Sequence, residues 1–97
     1  MIKSFRDTGT EDLFNQVNSK AARRTCPETI RAVARRKLYQ LNAVTTLESL
    51  RVPPGNSLKA LAGDRAGQHA IRINDQYRVC FVWTGTDAES VEVADYH

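Results

Sequence analysis

An α+β fold, helices first and an antiparallel sheet after, is what this chain predicts, and three observations carry the prediction. Ile30, Val33, Ala34, Leu38 and Leu41 recur at helical spacing. Beyond Pro53-Pro54-Gly55-Asn56 the apolar period changes to two, over residues 68–73, 77–83 and around Val91 and Val93. Clusters of turn formers separate those runs at residues 63–67, 74–76 and 84–88.

In chain order, Ile2 to Phe5 is a short strand candidate with apolar ends and polar residues between. Asp7-Thr8-Gly9-Thr10 reads as a turn, and Thr8 with Glu11 three residues later forms a capping box for a first helix. Its narrow stripe of Leu13, Phe14 and Val17 implies an end near Ser19. A second capping box, Thr25 with Glu28, starts the main helix, and Pro27 beside it loses nothing by lacking an N–H in the first turn. Residues 45–50 add a further helical turn, after which the prolines and Gly55 break the pattern. Leu58 and Leu61 fall in a short strand-like connection. The N-terminal strand is expected to join the later meander, so two helices pack on one mainly antiparallel sheet.

The 97 residues suffice for one domain, 1–97, with a modest core. A composition 41% hydrophobic and 26% charged excludes a disordered chain. No apolar run approaches the ~20 residues that span a bilayer, and the opening Met1-Ile2-Lys3-Ser4-Phe5 lacks the h-region of a signal peptide. A cytoplasmic location without membrane association is the expectation. Cys26 and Cys80 are then expected as free thiols, Cys80 as a small core residue. No Cys or His pair has metal-ligand spacing, so neither metal nor cofactor is expected. Net charge is +3, yet residues 20–59 hold nine cations against two carboxylates, +7, and the remainder sums to −4. A basic middle suits a polyanion or an acidic protein partner; a solvated helix face explains it equally.

What the last third can do depends on the loop at Asn74-Asp75-Gln76. A two-residue loop sets Ile71 opposite Arg78 and mixes charge into both faces. A three-residue loop pairs Ile73 with Tyr77, Ile71 with Val79 and His69 with Phe81, and places Arg72 opposite Arg78 beside Ala70, Cys80 and Val82. The second register segregates better and is the one expected. Two arginines directly opposite repel, so an anion between them, or a structural carboxylate such as Asp64 or Glu92, is implied. A guanidinium fork matches phosphate geometry, which favours the anion for Arg78. Tyr77, Phe81 and Trp83 then read as core, and His69 as a core or rim residue.

Pro53-Pro54-Gly55-Asn56, Gly63-Asp64-Arg65-Ala66-Gly67, the run from Ile71 to Arg78 and the terminal Asp95-Tyr96-His97 together resemble the HigB-type toxins of the RelE/ParE toxin–antitoxin superfamily. The opening Met1-Ile2-Lys3-Ser4-Phe5 matches too, so the resemblance spans the chain. It implies a RelE-like fold with helices on a curved antiparallel sheet. It further implies a ribosome-dependent endoribonuclease that cuts mRNA in the A site of the 30S subunit, neutralised by a HigA-like helix-turn-helix antitoxin through which alone it meets operator DNA. Two other readings stay open: a ParE-like inhibitor of a protein such as DNA gyrase, and a non-toxic remnant that binds RNA or protein.

RNA carries its own nucleophile, the 2′-OH, so cleavage needs a base, an acid for the 5′-oxygen and cations for the crowded phosphate, without a metal. By resemblance Arg78 is the phosphate-stabilising arginine, Tyr96 the tyrosine near the scissile nucleotide, where it can stack on a base, and Asp95 and His97 the terminal polar pair. A histidine titrates near ~6.5 and serves either as acid or base. Some relatives carry lysine where this chain has Ala62, and often histidine where it has Lys59. Lys59 supplies a cation, but lysine at its reference pKa of ~10.4 is a poor base, so the base lies among Lys59, Asp95 and His97. Arg31, Arg35, Arg65 and Arg72 are the candidate RNA or ribosome contacts.

Overall fold

In the computed structural model, which describes residues 1–95, three helices pack on one face of a four-stranded antiparallel sheet. The helices are α1 (Thr8–Phe14), α2 (Lys20–Thr25) and α3 (Glu28–Ala43). The strands, β1 (Lys59–Ala60), β2 (His69–Arg72), β3 (Tyr77–Trp83) and β4 (Ala88–Asp95), lie in the order β1-β2-β3-β4. Tyr96 and His97 lie outside the described residues.

The capping boxes are not used as the sequence suggests. Asp7, not Thr8, caps α1: its Oδ1 accepts from the Thr10 amide at 2.7 Å, and Gly9 and Thr10 lie inside the helix rather than in a turn. Gly9 is where α2 comes closest, since a β-carbon there would stand 2.2 Å from Thr25 Oγ1 and 2.6 Å from the Ala21 carbonyl oxygen. The helix stops at Phe14, short of Ser19, because Gln16 turns left-handed (φ 60°) and the Val17 amide reaches back to the Asp12 carbonyl at 2.8 Å. Ser19 then starts α2, which sequence periodicity does not reveal. Its Oγ accepts from the Ala22 amide at 3.0 Å and donates to Asp12 at 2.7 Å. Thr25 closes α2 by donating to Ala21, so α3 begins at Glu28 with Pro27 in the cap position and no side-chain cap. The described residues thus form three α-helices where two are expected.

Helix α3 buries Ala34, Leu38 and Leu41, with Ile30 and Val33 packed beside them, against Ile71, Ile73, Val79, Phe81, Val91 and Val93 of the sheet. Phe81, Leu38, Leu41, Ile71 and Val79 are inaccessible to solvent. Short 3-10 turns at Leu47–Arg51 and Pro54–Asn56 lead to β1. There Asn56 is buried, and its Nδ2 donates to the Leu50 carbonyl and to Gln40 Oε1, each at 3.0 Å.

The β2–β3 register is the three-residue-loop one: His69 faces Phe81, Ala70 Cys80, Ile71 Val79 and Arg72 Arg78. Asn74 closes the loop, its Oδ1 accepting from the amides of Gln76 (2.9 Å) and Tyr77 (2.7 Å). In β4 a bulge opposite Phe81, with Ser90 at φ 51°, interrupts the ladder between Glu92 and Glu89. The extra residue puts Ala88 and Val91 on the helical side together and turns Glu92 and Ala94 to the other. The N-terminal segment runs parallel to the free edge of β4 and bridges it at Ile2–Ala88 and Phe5–Val91. It forms two isolated bridges rather than a regular strand, since the bulge lies between them.

Candidate functional site on the sheet face away from the helices

Strand parity divides the sheet. The helical side carries the main core, and the opposite side has a small apolar floor of Leu61, Ala70, Cys80 and Ala94. Cross-strand partners share a face, so one row over this floor runs Lys59–Ala70–Cys80–Glu92 and the next Arg72–Arg78–Ala94. Lys59, Arg72 and Arg78 are therefore brought to one face by three different strands. Arg65 joins them from the 3-10 turn Gly63–Arg65 between β1 and β2.

Each cation is held differently. Arg78 is half-buried and donates through Nη1 to the carbonyl of Asn74 and, at 3.2 Å, to that of Tyr77, which fixes its guanidinium at the loop end of the face. Arg72 pairs with Asp75 of the same loop, so the carboxylate expected between the arginines comes from neither Asp64 nor Glu92. Glu92 instead accepts from Arg65 Nη1 at 2.6 Å and lies 3.5 Å from Arg6. Lys59 is exposed on the short edge strand. Asp95 ends β4 opposite Tyr77, exposed, and accepts from Gln76 Nε2 at 3.1 Å. Asp95, the last described residue, thus lies beside the Arg78 loop, and the roles expected of Tyr96 and His97 fall outside the described residues.

Burial pushes the Cys80 thiol above its ordinary range, with the guanidinium of Arg65 pulling it down, the Glu92 carboxylate raising it, and Arg78 and Arg6 lowering it. Cys26 is likewise raised by burial. Both thiols are free, buried and poor nucleophiles. Among the described residues, no group of three or more His, Cys, Asp and Glu side chains is placed to hold a metal ion. No helix there is long and apolar enough to cross a membrane.

Arg31 and Arg35 are not brought to this face. Arg31 donates to the carbonyls of Cys26 (3.1 Å) and Arg23 (2.9 Å), and Arg35 to that of Leu13 (3.0 Å), tying α3 to the ends of α1 and α2. They line a groove of about 310 Å³ between the helices, with Leu13, Val17, Ala22 and Glu28. That concavity is across the sheet from Arg72 and Arg78, and its charged lining is Arg23, Glu28, Arg31 and Arg35. His69, as expected, sits against the core, stacked on Phe81 with ring centroids 6.2 Å apart. Its buried Nδ1 has no hydrogen-bond partner among the described residues. The role of Glu92 and Arg6 together escapes sequence reading; alternation in β4 alone places Glu92 on the arginine face, but only the fold brings Arg6 to it.

Helices packed on one face of a four-stranded antiparallel sheet form a RelE-like α+β fold. The model of a RelE-like toxin of type II toxin–antitoxin systems, HigB, matches residues 3–97, and the chain belongs to that family. It is 35% identical over 83 residues to Toxin HigB-1 of Vibrio cholerae serotype O1 (strain ATCC 39315 / El Tor Inaba N16961), which covers 86% of this chain and 84% of that protein. Its fold is similar to that of a YoeB/ParE toxin from Agrobacterium tumefaciens, with a TM-score of 0.51 over 99% of each chain at 19% identity. The protein is a toxin of a type II toxin–antitoxin system, and an antitoxin is its partner.

Proposed function

We propose that this toxin is a ribosome-dependent endoribonuclease that cuts mRNA in the 30S A site by metal-independent attack of the 2′-OH. The observation that supports it most is the Arg72–Arg78 pair, directly opposite on an open face beside the strand that leads through Asp95 to Tyr96-His97. Arg78, its guanidinium already fixed by two carbonyls, stabilises the charge that develops on the phosphate. Arg72, Arg65 and Lys59 hold the flanking backbone, Tyr96 stacks on a base, and His97, Asp95 or Lys59 exchanges the protons of the 2′-OH and 5′-oxygen. Arg31 and Arg35, with the other cations of residues 20–51, favour approach to ribosomal RNA from the helical side. The antitoxin partner is HigA-like, a helix-turn-helix protein through which the pair meets its operator, and the toxin acts in the cytoplasm.

The test is cleavage of a reporter mRNA on programmed ribosomes. Wild-type toxin should leave a 2′,3′-cyclic phosphate on the upstream fragment and cut nothing when ribosomes are omitted. Arg78→Ala should fold normally and lose about 100- to 1,000-fold in cleavage rate, the usual cost of one oxyanion-stabilising donor. A folded Arg78→Ala protein that cleaves at the wild-type rate would remove that residue from the mechanism. Intact mRNA accompanied by DNA-damage signalling would instead direct attention to a gyrase-type target.

A further inference from the structure

We propose that Glu92 is a positioning residue of this face: it holds Arg65 over the apolar floor in the place where Arg65 meets the RNA backbone, and it restrains the affinity of the face for polyanions. The inference rests on the nuclease reading above.

Glu92 pairs opposite Cys80 on the arginine side of β4, and its side chain is only 15% exposed. The surrounding floor consists of small side chains, Ala70, Cys80 and Ala94, with Leu61 at its margin. A long guanidinium side chain finds little there to lean on. Arg65, 31% exposed, is instead fixed by polar contacts: its Nη1 donates at 2.6 Å to Glu92 and at 3.1 Å to Gln68 Oε1. The first is a short charge-assisted bond of the kind that sets geometry. Arg6 approaches the same Glu92 oxygen from the N-terminal segment at 3.5 Å. The thiol of Cys80 senses Arg65, Glu92, Arg78 and Arg6 together, so the four charges share one neighbourhood.

Removing the carboxylate has two consequences of opposite sign. Arg65 keeps Gln68 but loses its short, charge-assisted bond, which costs orientation in the reacting complex. The face also gains one unit of positive charge, which strengthens its hold on any RNA. A residue that mattered only for folding would weaken binding and turnover together. Glu92 separates them.

The experiment uses the full chain on programmed ribosomes and compares Glu92→Gln, Glu92→Asp, Arg65→Ala and the double variant Glu92→Gln/Arg65→Ala. Glu92→Gln should lower kcat about tenfold, within the range of one hydrogen bond to a charged group. Its KM should not rise, and its affinity for a short single-stranded RNA should increase with a salt slope steeper by about one. Glu92→Asp, which keeps the charge on a shorter arm, should keep the wild-type salt slope and lose less kcat. The double variant should be no slower than Arg65→Ala, since Glu92 acts through Arg65. An unchanged kcat in folded Glu92→Gln, additive losses in the double variant, or a KM that rises in step with a falling melting temperature would each overturn the proposal. Wild-type protein that leaves mRNA intact would fail the nuclease reading first, and this inference with it.

Discussion

Lys37 donates at 2.5 Å to the side-chain oxygen of the buried Asn56, a contact that holds the proline-rich loop against α3. Burial lowers the pKa of Lys37 from its ordinary 10.5, and the neighbouring charge of Arg36 lowers it further. Between that lowered value and 10.5 the unfolded chain binds more protons than the folded one, so stability rises with pH across this window. The two buried thiols act in the opposite direction above pH 9, so the measurement is a difference: the urea midpoint of the wild type relative to that of Lys37→Met should rise with pH across this window. Single residues were the scale least legible in the sequence. Asn56 reads there as a turn former, and its four polar contacts, to Lys37, Gln40, Leu50 and Val52, depend on elements 4 to 19 residues away. Glu92 similarly reads as a possible partner of Arg72 or Arg78, and the choice of Arg65 and Arg6 belongs to the tertiary fold.

Elements were more legible where apolar spacing is strong. The span of α3 and the pairing of Ile71 with Val79 follow from periodicity, because each buries a continuous apolar face. Helix α2 escaped because Lys20-Ala21-Ala22-Arg23-Arg24-Thr25 buries only Ala22 and so has no apolar stripe. It is held by its Ser19 cap and by close packing on α1 instead. Gly9 makes that packing possible. Gly9→Ala, though it improves helix propensity, should destabilise the fold by about 1–3 kcal/mol through forced separation of α1 from α2. A denaturation midpoint equal to that of the wild type would show that the two helices can yield. Thr10 adds a second tie, its Oγ1 accepting at 3.0 Å from the amide of Val93 in β4. The same hydroxyl donates to Asp7, so the cap of α1 and the last strand share one atom.

Across the whole molecule the sheet separates two functions, packing on one side and charge on the other. The edge of β4 is covered by the N-terminal segment: Lys3 and Arg6 donate to Ala88 and Val91 carbonyls at 2.8 and 2.9 Å, and the Ala88 and Val91 amides donate back to Met1 and Ser4. The segment is also pinned to α3, where Asn42 accepts from the Ile2 amide at 2.9 Å. A protein lacking residues 1–6 should expose a row of unpaired strand groups and self-associate. Light scattering over a concentration series would register this as a rising mass, and a constant monomer mass would speak against edge protection. The opposite edge, β1, is only two residues long, which limits pairing there.

The three-residue loop at 74–76 also has a genetic consequence. Loss of one codon within it would leave two residues to join Ile73 to Tyr77: the pairing of the apolar set can persist, but the turn in which the Asn74 side chain accepts from the Gln76 and Tyr77 amides, and its carbonyl holds Arg78, is lost. The reading frame and all of the downstream residues would survive such an event. Among cells that escape this toxin when its antitoxin is depleted, in-frame deletions at this loop should therefore appear alongside nonsense mutations and changes at Arg78.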